Sequence, residues 1–406
     1  MMDAAVARGI AQWVRRPLRR LGNSLARAAN AGLARLPGAA RVTIVTHDPH
    51  GAKCQRVRER LEFAFGGVSL ASGVRVVRAP SLLGVLSSRV VAVADSGTVP
   101  DSYFKFFTHC FDVDFEANPV DGWELCRISQ RLAGLPTPER TAEARARLGE
   151  VVKRLRGRGR TKTYVFGTGP SLAKSADRDF SDGNVVVCNT IVRDAALWRH
   201  LKPDIIAAGD AIYHFGPTPH ARAFRADLRK RLEDSAGATS FVYPELFDAV
   251  VLREFGDLRS LLLPVPFGEH DNVHVDLTVR FDLPTLGNVL NILLLPLGCT
   301  LSKSVMLWGF DGRAPDDQGF WANSSAQAFP ELMPGLREAH PAFFANFVPK
   351  GREGNYVQSV HGDALDERLS RAEAAGWKFV MMHFTWTETL RKRMAGGDAG
   401  ATGGGT

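Results

Sequence analysis

No two of the five cysteines form a Cys-x-x-Cys pair. Cys54, Cys110, Cys126, Cys188 and Cys299 are scattered, which argues against a zinc site or a disulfide framework and for a reducing compartment. Long apolar runs are missing too. The longest, from Val289 to Leu297, is interrupted by Asn291 and Pro296 and falls short of the roughly 20 residues a spanning helix needs. Acid is nearly absent from the start of the chain. Residues 1–41 hold Arg8, Arg15, Arg16, Arg19, Arg20, Arg27, Arg35 and Arg41 against Asp3 alone. Seven of the eight net positive charges therefore lie in this arm. The remainder is nearly neutral, so no nucleic-acid-binding surface is expected.

What the arm does contain is a stripe. Val6, Ile10, Trp13, Val14, Leu18, Leu21, Leu25, Ala28, Gly32, Leu33 and Leu36 recur mostly at spacings of three and four, the helical period. Arginines occupy the other face, and Pro17 kinks or divides the helix. Without an uninterrupted apolar core the arm is not a signal peptide. Three readings remain open: a helix lying in the plane of an anionic membrane, an amphipathic helix packed on its own domain or a partner subunit, and a transit peptide.

The 406 residues suffice for two domains. Residues 1–40 read as the basic amphipathic helix and 41–135 as a small α/β domain. In that domain, strands Val42 to Thr46, Val74 to Val77 and Arg89 to Ala94 flank a helix from Lys53 to Phe65. Residues 136–160 read as a helical linker, closed by Gly157 and Gly159. Residues 161–394 alternate strand and helix, the pattern of a doubly wound, Rossmann-like, mainly parallel α/β sheet. Residues 395–406 are Gly/Ala-rich and read as a disordered tail.

Three strands open the larger domain, and each ends in residues suited to a ligand. Tyr164-Val-Phe runs into Gly167-Thr168-Gly169-Pro170-Ser171; Asn184 to Cys188 ends in Asn189; Pro203 onward ends in Asp210. In open parallel sheets ligands sit outside the carboxyl ends of the strands. Bare backbone, an amide and a carboxylate facing one crevice suit a nucleotide. The glycine loop lacks the Gly-Lys-Ser/Thr of a phosphate loop and the third glycine of a dinucleotide fingerprint, and an ordinary strand-to-helix turn accounts for it equally well. Leu283 to Asn291 reads as a helix start with Pro284 in its first turn, offering free N–H groups to an anion. Thr285 or Asn288 adds either a ligand contact or a cap. A further buried strand, Ser304 to Trp308, ends in Gly309-Phe-Asp311-Gly. The long polar segment Arg313 to Gly354 reads as a lid or binding loop. His361 precedes an amphipathic helix from Ala364 to Ala375.

The order of these motifs resembles the bacterial sialyltransferases of the Campylobacter type, over residues 163 to about 390. The matching features are the glycine-Pro-Ser loop, Cys188-Asn189, the polar strand end Asp210, Thr285-Leu-Gly287, Gly309-Phe-Asp311, and the histidine before the penultimate helix. That family transfers sialic acid from CMP-sialic acid with inversion and without a metal. The resemblance implies that Gly167, Thr168, Gly169, Ser171, Asn189, Asp210, Thr285, Gly287, Gly309 and Asp311 surround the nucleotide. It also implies that His361 is the general base on an acceptor hydroxyl. A histidine suits that task, because its pKa lies near working pH.

Two departures stand out. The family places tyrosine hydroxyls on the departing phosphate in the segment after Gly-x-Asp. Here that segment has no tyrosine, leaving Arg313, Trp321, Asn323 or the later Tyr356 as substitutes. The third strand also ends in Asp210 rather than an amide, which admits another CMP-activated acidic sugar, such as Kdo. No cofactor beyond the CMP-sugar donor is expected. The expected partners are a glycan or glycolipid acceptor and an anionic membrane surface met by residues 1–36, with a homo-oligomer left open. The expected location is cytoplasmic, including the inner face of the membrane.

The glycine loop and Lys202 to Asp210 also resemble the archaeal pterin diphosphokinases and the flagellin-modifying motility accessory factors. That resemblance implies a pyrophosphoryl or sugar transferase using magnesium held by Asp210 and Asp311. A non-catalytic nucleotide-binding scaffold recruited to membrane by its arm is a third expectation.

Overall fold

The computed structural model describes Asn30 and residues 42–66, 73–312, 329–347 and 362–395. These form two compact units, the first spanning Met1–Ala133 with His340–Phe343, the second Gly134–Ala339 with Phe344–Thr406.

In the first unit, strands β1 (Val42–Val45), β2 (Val74–Val77), β3 (Val90–Val93) and β4 (Cys110–Asp112) form a parallel sheet in the order β2-β1-β3-β4. β1 and β3 are buried throughout, as their runs of β-branched residues require of strands covered on both faces. Ile44 and Ala92 pack under the helices Ala52–Ala64 and Asp121–Ala133, while Val45, Val91 and Val93 pack on the opposite face with Val85 and Val99. The segment His340–Phe343 joins this unit through the Ala342 N–H on the Phe115 carbonyl (3.2 Å) and through His340 on Asp121 (2.9 Å). Asn30 is buried here as well. Its amide donates to the Leu86 and Ser88 carbonyls (2.8 and 2.7 Å) and accepts from Arg131 (2.7 Å).

The second unit carries β5 (Lys162–Phe166), β6 (Asn184–Cys188), β7 (Ile205–Ala207), β8 (Ser240–Pro244), β9 (Leu262–Val265), β10 (Ser304–Trp308) and β11 (Lys378–Met381). All pair in parallel, in the order β11-β10-β5-β6-β7-β8-β9. The doubly wound architecture is thus present. The chain steps outward from β5 to β9, then returns to lay β10 on the other side of β5. The strand order reverses at β5 and β10, and the loops after these two strands flank the crevice where such folds bind ligands.

The structure differs from the sequence reading in three places. The helix Pro138–Arg156 is no linker: Ala144, Leu148, Val152 and Leu155 are buried in the core of the second unit with Val165, Val186 and Ile205. Thr137 caps it, accepting from the Arg140 N–H at 3.1 Å, with Pro138 pre-set for the first turn. Part of the Arg313 to Gly354 segment is helical, over Met333–Ala339 and Pro341–Phe347. No helix begins at Pro284. The chain stays irregular until Val289, and the helical stretch runs through Leu290–Leu294 into Leu295–Leu301. Asn288 sits at φ 57° and its side chain accepts from the Asn291 N–H at 3.0 Å, so the cap lies there. Among the described residues no helix is long and apolar enough to cross a membrane.

Candidate functional site

Three loops at the carboxyl ends of β5, β10 and β11 are tied into one knot. The N–H of Gly167 donates to the Trp308 carbonyl (2.7 Å) and that of Gly169 to the Gly309 carbonyl (2.9 Å). Asp311 accepts from both donors of Ser171, its N–H at 3.1 Å and its hydroxyl at 2.9 Å. The Trp308 indole donates to the Ser171 carbonyl at 3.0 Å. From the β11 side, His383 reaches Ser171 Oγ (2.7 Å) and receives the Gly309 N–H (2.8 Å) on the same Nε2. Thr385 donates to the Phe310 carbonyl at 2.7 Å, and the Trp386 N–H to that of Asp311 at 2.7 Å.

This explains the glycines. A Cβ on Gly169 would lie 2.1 Å from Asp311 Oδ2 and 2.8 Å from the Gly309 carbonyl oxygen; one on Gly167 would lie 2.6 Å from that oxygen. Gly309 sits at φ 76°, where only glycine is at ease. The first role of these glycines is to let two backbone loops touch, before any ligand arrives.

Next to the knot stand the ends of β6 and β7. Asn189 follows β6 at φ 50°, a left-handed conformation that asparagine tolerates better than most residues. Its Oδ1 is buried and has no hydrogen-bond partner among the described residues. Asp210 follows β7 and caps the turn Ala211–Phe215, accepting from the Ile212 and Tyr213 N–H groups at 2.9 and 3.0 Å. Burial outweighs those two hydrogen bonds and pushes its carboxyl up to about 6.

The structure brings Gly167, Thr168, Gly169, Ser171, Gly309 and Asp311 together, and topology sets Asn189 and Asp210 in the same row of strand ends. It does not gather Thr285 and Gly287 with them by side-chain contact. Both are exposed, and the Thr285 hydroxyl donates to the Gly268 carbonyl. Asp210 and Asp311 are also apart. β7 and β10 are separated by β5 and β6, which places their ends about 14 Å from each other. Asp210 caps its own turn, whereas Asp311 is engaged by Ser171 of the loop after β5. His361, Arg313, Trp321, Asn323 and Tyr356 lie outside the described residues, as do residues 1–29, 31–41 and 396–406.

From the sequence, His383 is the competitor of His361 for the general-base role, with a core or strand-end role as the plainer expectation because it follows the last strand. Its position just after a buried strand was the available signal; its partners, 212 and 74 residues away, were not. No protein-family model, no curated protein and no solved structure matches the chain.

Proposed function

We propose that the second unit is an inverting, metal-independent glycosyltransferase that takes an acidic sugar, sialic acid or Kdo-like, from a CMP donor. The acceptor is a cell-surface glycan or glycolipid, and His361 serves as the general base. The observation that carries this reading is the unpartnered, buried Oδ1 of Asn189 at the end of β6. Buried polar atoms are rarely left unpaired. This acceptor stands beside the point where the strand order reverses, where a ribose hydroxyl or a cytosine amino group would satisfy it. The motif order of the sialyltransferase-like chains supports the choice of nucleotide.

Calorimetry with CMP, with and without EDTA, tests the proposal. CMP should bind without magnesium. Asn189→Ala should weaken it about tenfold, the loss of one or two hydrogen bonds worth roughly 0.5–1.5 kcal/mol each. Undetectable CMP binding, or equal affinity in the variant, overturns the assignment. Residues 1–36 would hold such an enzyme on anionic membrane near a glycolipid acceptor; flotation with anionic liposomes that did not weaken with salt would count against this.

A further inference from the structure

We propose that His383 is the positioning residue of the nucleotide site, holding the glycine loop against the Gly309 loop only while its imidazole is neutral. The inference rests on the reading that CMP binds across the ends of β5 to β7.

The hydrogen-bond directions determine the tautomer. A backbone N–H can only donate, so the Gly309 N–H at 2.8 Å requires a lone pair on Nε2. A carbonyl can only accept, so the Phe384 carbonyl at 2.6 Å requires a proton on Nδ1. Both conditions are met by one form, the neutral Nδ1–H imidazole. Ser171 Oγ is compatible with it, since its single proton can go to Asp311 Oδ2 at 2.9 Å or to Nε2 at 2.7 Å.

An imidazolium meets a different environment. A proton on Nε2 would point at the Gly309 N–H, donor against donor, and could be accepted only by Ser171 Oγ. The Gly309 bond would be lost. Gly309 is also the residue whose carbonyl receives the Gly169 N–H and whose close approach to Gly167 leaves no room for a side chain. A shift of the Gly309 amide therefore moves the glycine loop itself.

Several groups face the imidazole. Burial, the largest effect, and Lys174, from the turn after β5, disfavour the cation, while the Phe384 carbonyl and Asp311, from the β10 loop, favour it. The net effect holds the imidazole below its ordinary range. Arg178 stacks on Trp308, whose ring is 5.6 Å from that of His383. The knot is therefore closed at neutral pH and opens only once the pH falls below the ordinary histidine range.

The test compares the full-length protein with His383→Gln. The glutamine amide oxygen can accept the Gly309 N–H but does not titrate. Dissociation constants for CMP and ligand-free thermal midpoints are measured from pH 7.5 to 5.0. The unaltered protein should lose more CMP affinity than the variant as the pH falls, by up to about a factor of ten for each pH unit below the pKa of His383. Its midpoint should fall relative to the variant over the same range. Superimposable pH profiles overturn the role of His383. If neither protein binds CMP at any pH, the nucleotide reading fails, and the midpoints still decide the role of His383. Should the variant not fold, nitrogen NMR of labelled histidine in the unaltered protein at pH 7.5 decides: an Nδ1–H tautomer for His383 supports the proposal, and an Nε2–H tautomer overturns it.

Discussion

Arg140 and Asp248 form a bidentate ion pair with almost no access to solvent. Nε and Nη2 of the arginine each lie 2.9 Å from a carboxylate oxygen, at 3 % and 1 % residue exposure. The Tyr243 hydroxyl donates to the same carboxylate at 2.6 Å. The pair fastens the helix Pro138–Arg156 to the segment after β8. Burial opposes the charge on Arg140, but the Asp248 carboxylate outweighs it and holds the guanidinium above its ordinary pKa. Arg140→Ala should cost about 3–5 kcal/mol, because it strands a buried charge. Urea unfolding at neutral pH measures this; a loss under about 1 kcal/mol would show the pair to be incidental.

Gly169 and Gly149 make opposite predictions from one substitution. At Gly169 an added Cβ meets Asp311 and the Gly309 backbone, so Gly169→Ala should lose about 1–3 kcal/mol through overpacking and weaken CMP binding. At Gly149, within the helix Pro138–Arg156, nothing lies within 4 Å. Gly149→Ala should gain about 0.5–1 kcal/mol from helix propensity. Denaturation midpoints of the two variants should lie on opposite sides of the parent's.

Legibility followed how local each signal was. β5, β6 and β10 each end in an apolar run of three or four residues, and the order of the polar residues that follow was visible without coordinates. β9 was not, because Leu262-Leu-Pro-Val carries a proline. Pro264 is tolerated there because β9 is the edge of its sheet. Pro284 suggested a helix start, yet Asn288, with its left-handed backbone and side-chain cap, places the first turn later. The glycine loop could be read as a loop. Its true neighbours, Gly309, Asp311 and His383, lie in the loops after β10 and β11, strands that the strand-order reversal lays on the far side of β5.

Asp210 should give the protein a pH signature of the less common sign. Its folded pKa of about 6 lies above the ordinary aspartate value near 3.8. The folded state then holds a proton that the unfolded state has released between these values. Its contribution to stability is fully present below pH 4, falls as pH rises towards 6 and is lost above it, a difference of about 2–3 kcal/mol. Asp210→Asn keeps an oxygen for the Ile212 and Tyr213 N–H groups and removes the buried charge. The variant should match the parent at pH 4 and exceed it at pH 7.5. Urea unfolding at both pH values checks this; equal stability at pH 7.5 contradicts it.

His361 and His383 separate chemistry from architecture. His383 is 7 % exposed, and both ring nitrogens are engaged by the loops around it, so its loss should damage nucleotide binding. His361 stands just before the helix Asp363–Ala374, in the place that the sialyltransferase resemblance gives to the base acting on the acceptor hydroxyl. Removing a positioned base typically costs about 10²–10⁴ in rate. His361→Ala should therefore lose turnover of CMP-sialic acid or CMP-Kdo by roughly that factor, with CMP affinity unchanged by calorimetry. Turnover at the parental rate would remove His361 from the mechanism. Turnover abolished by EDTA in the unaltered protein would overturn the metal-independent route.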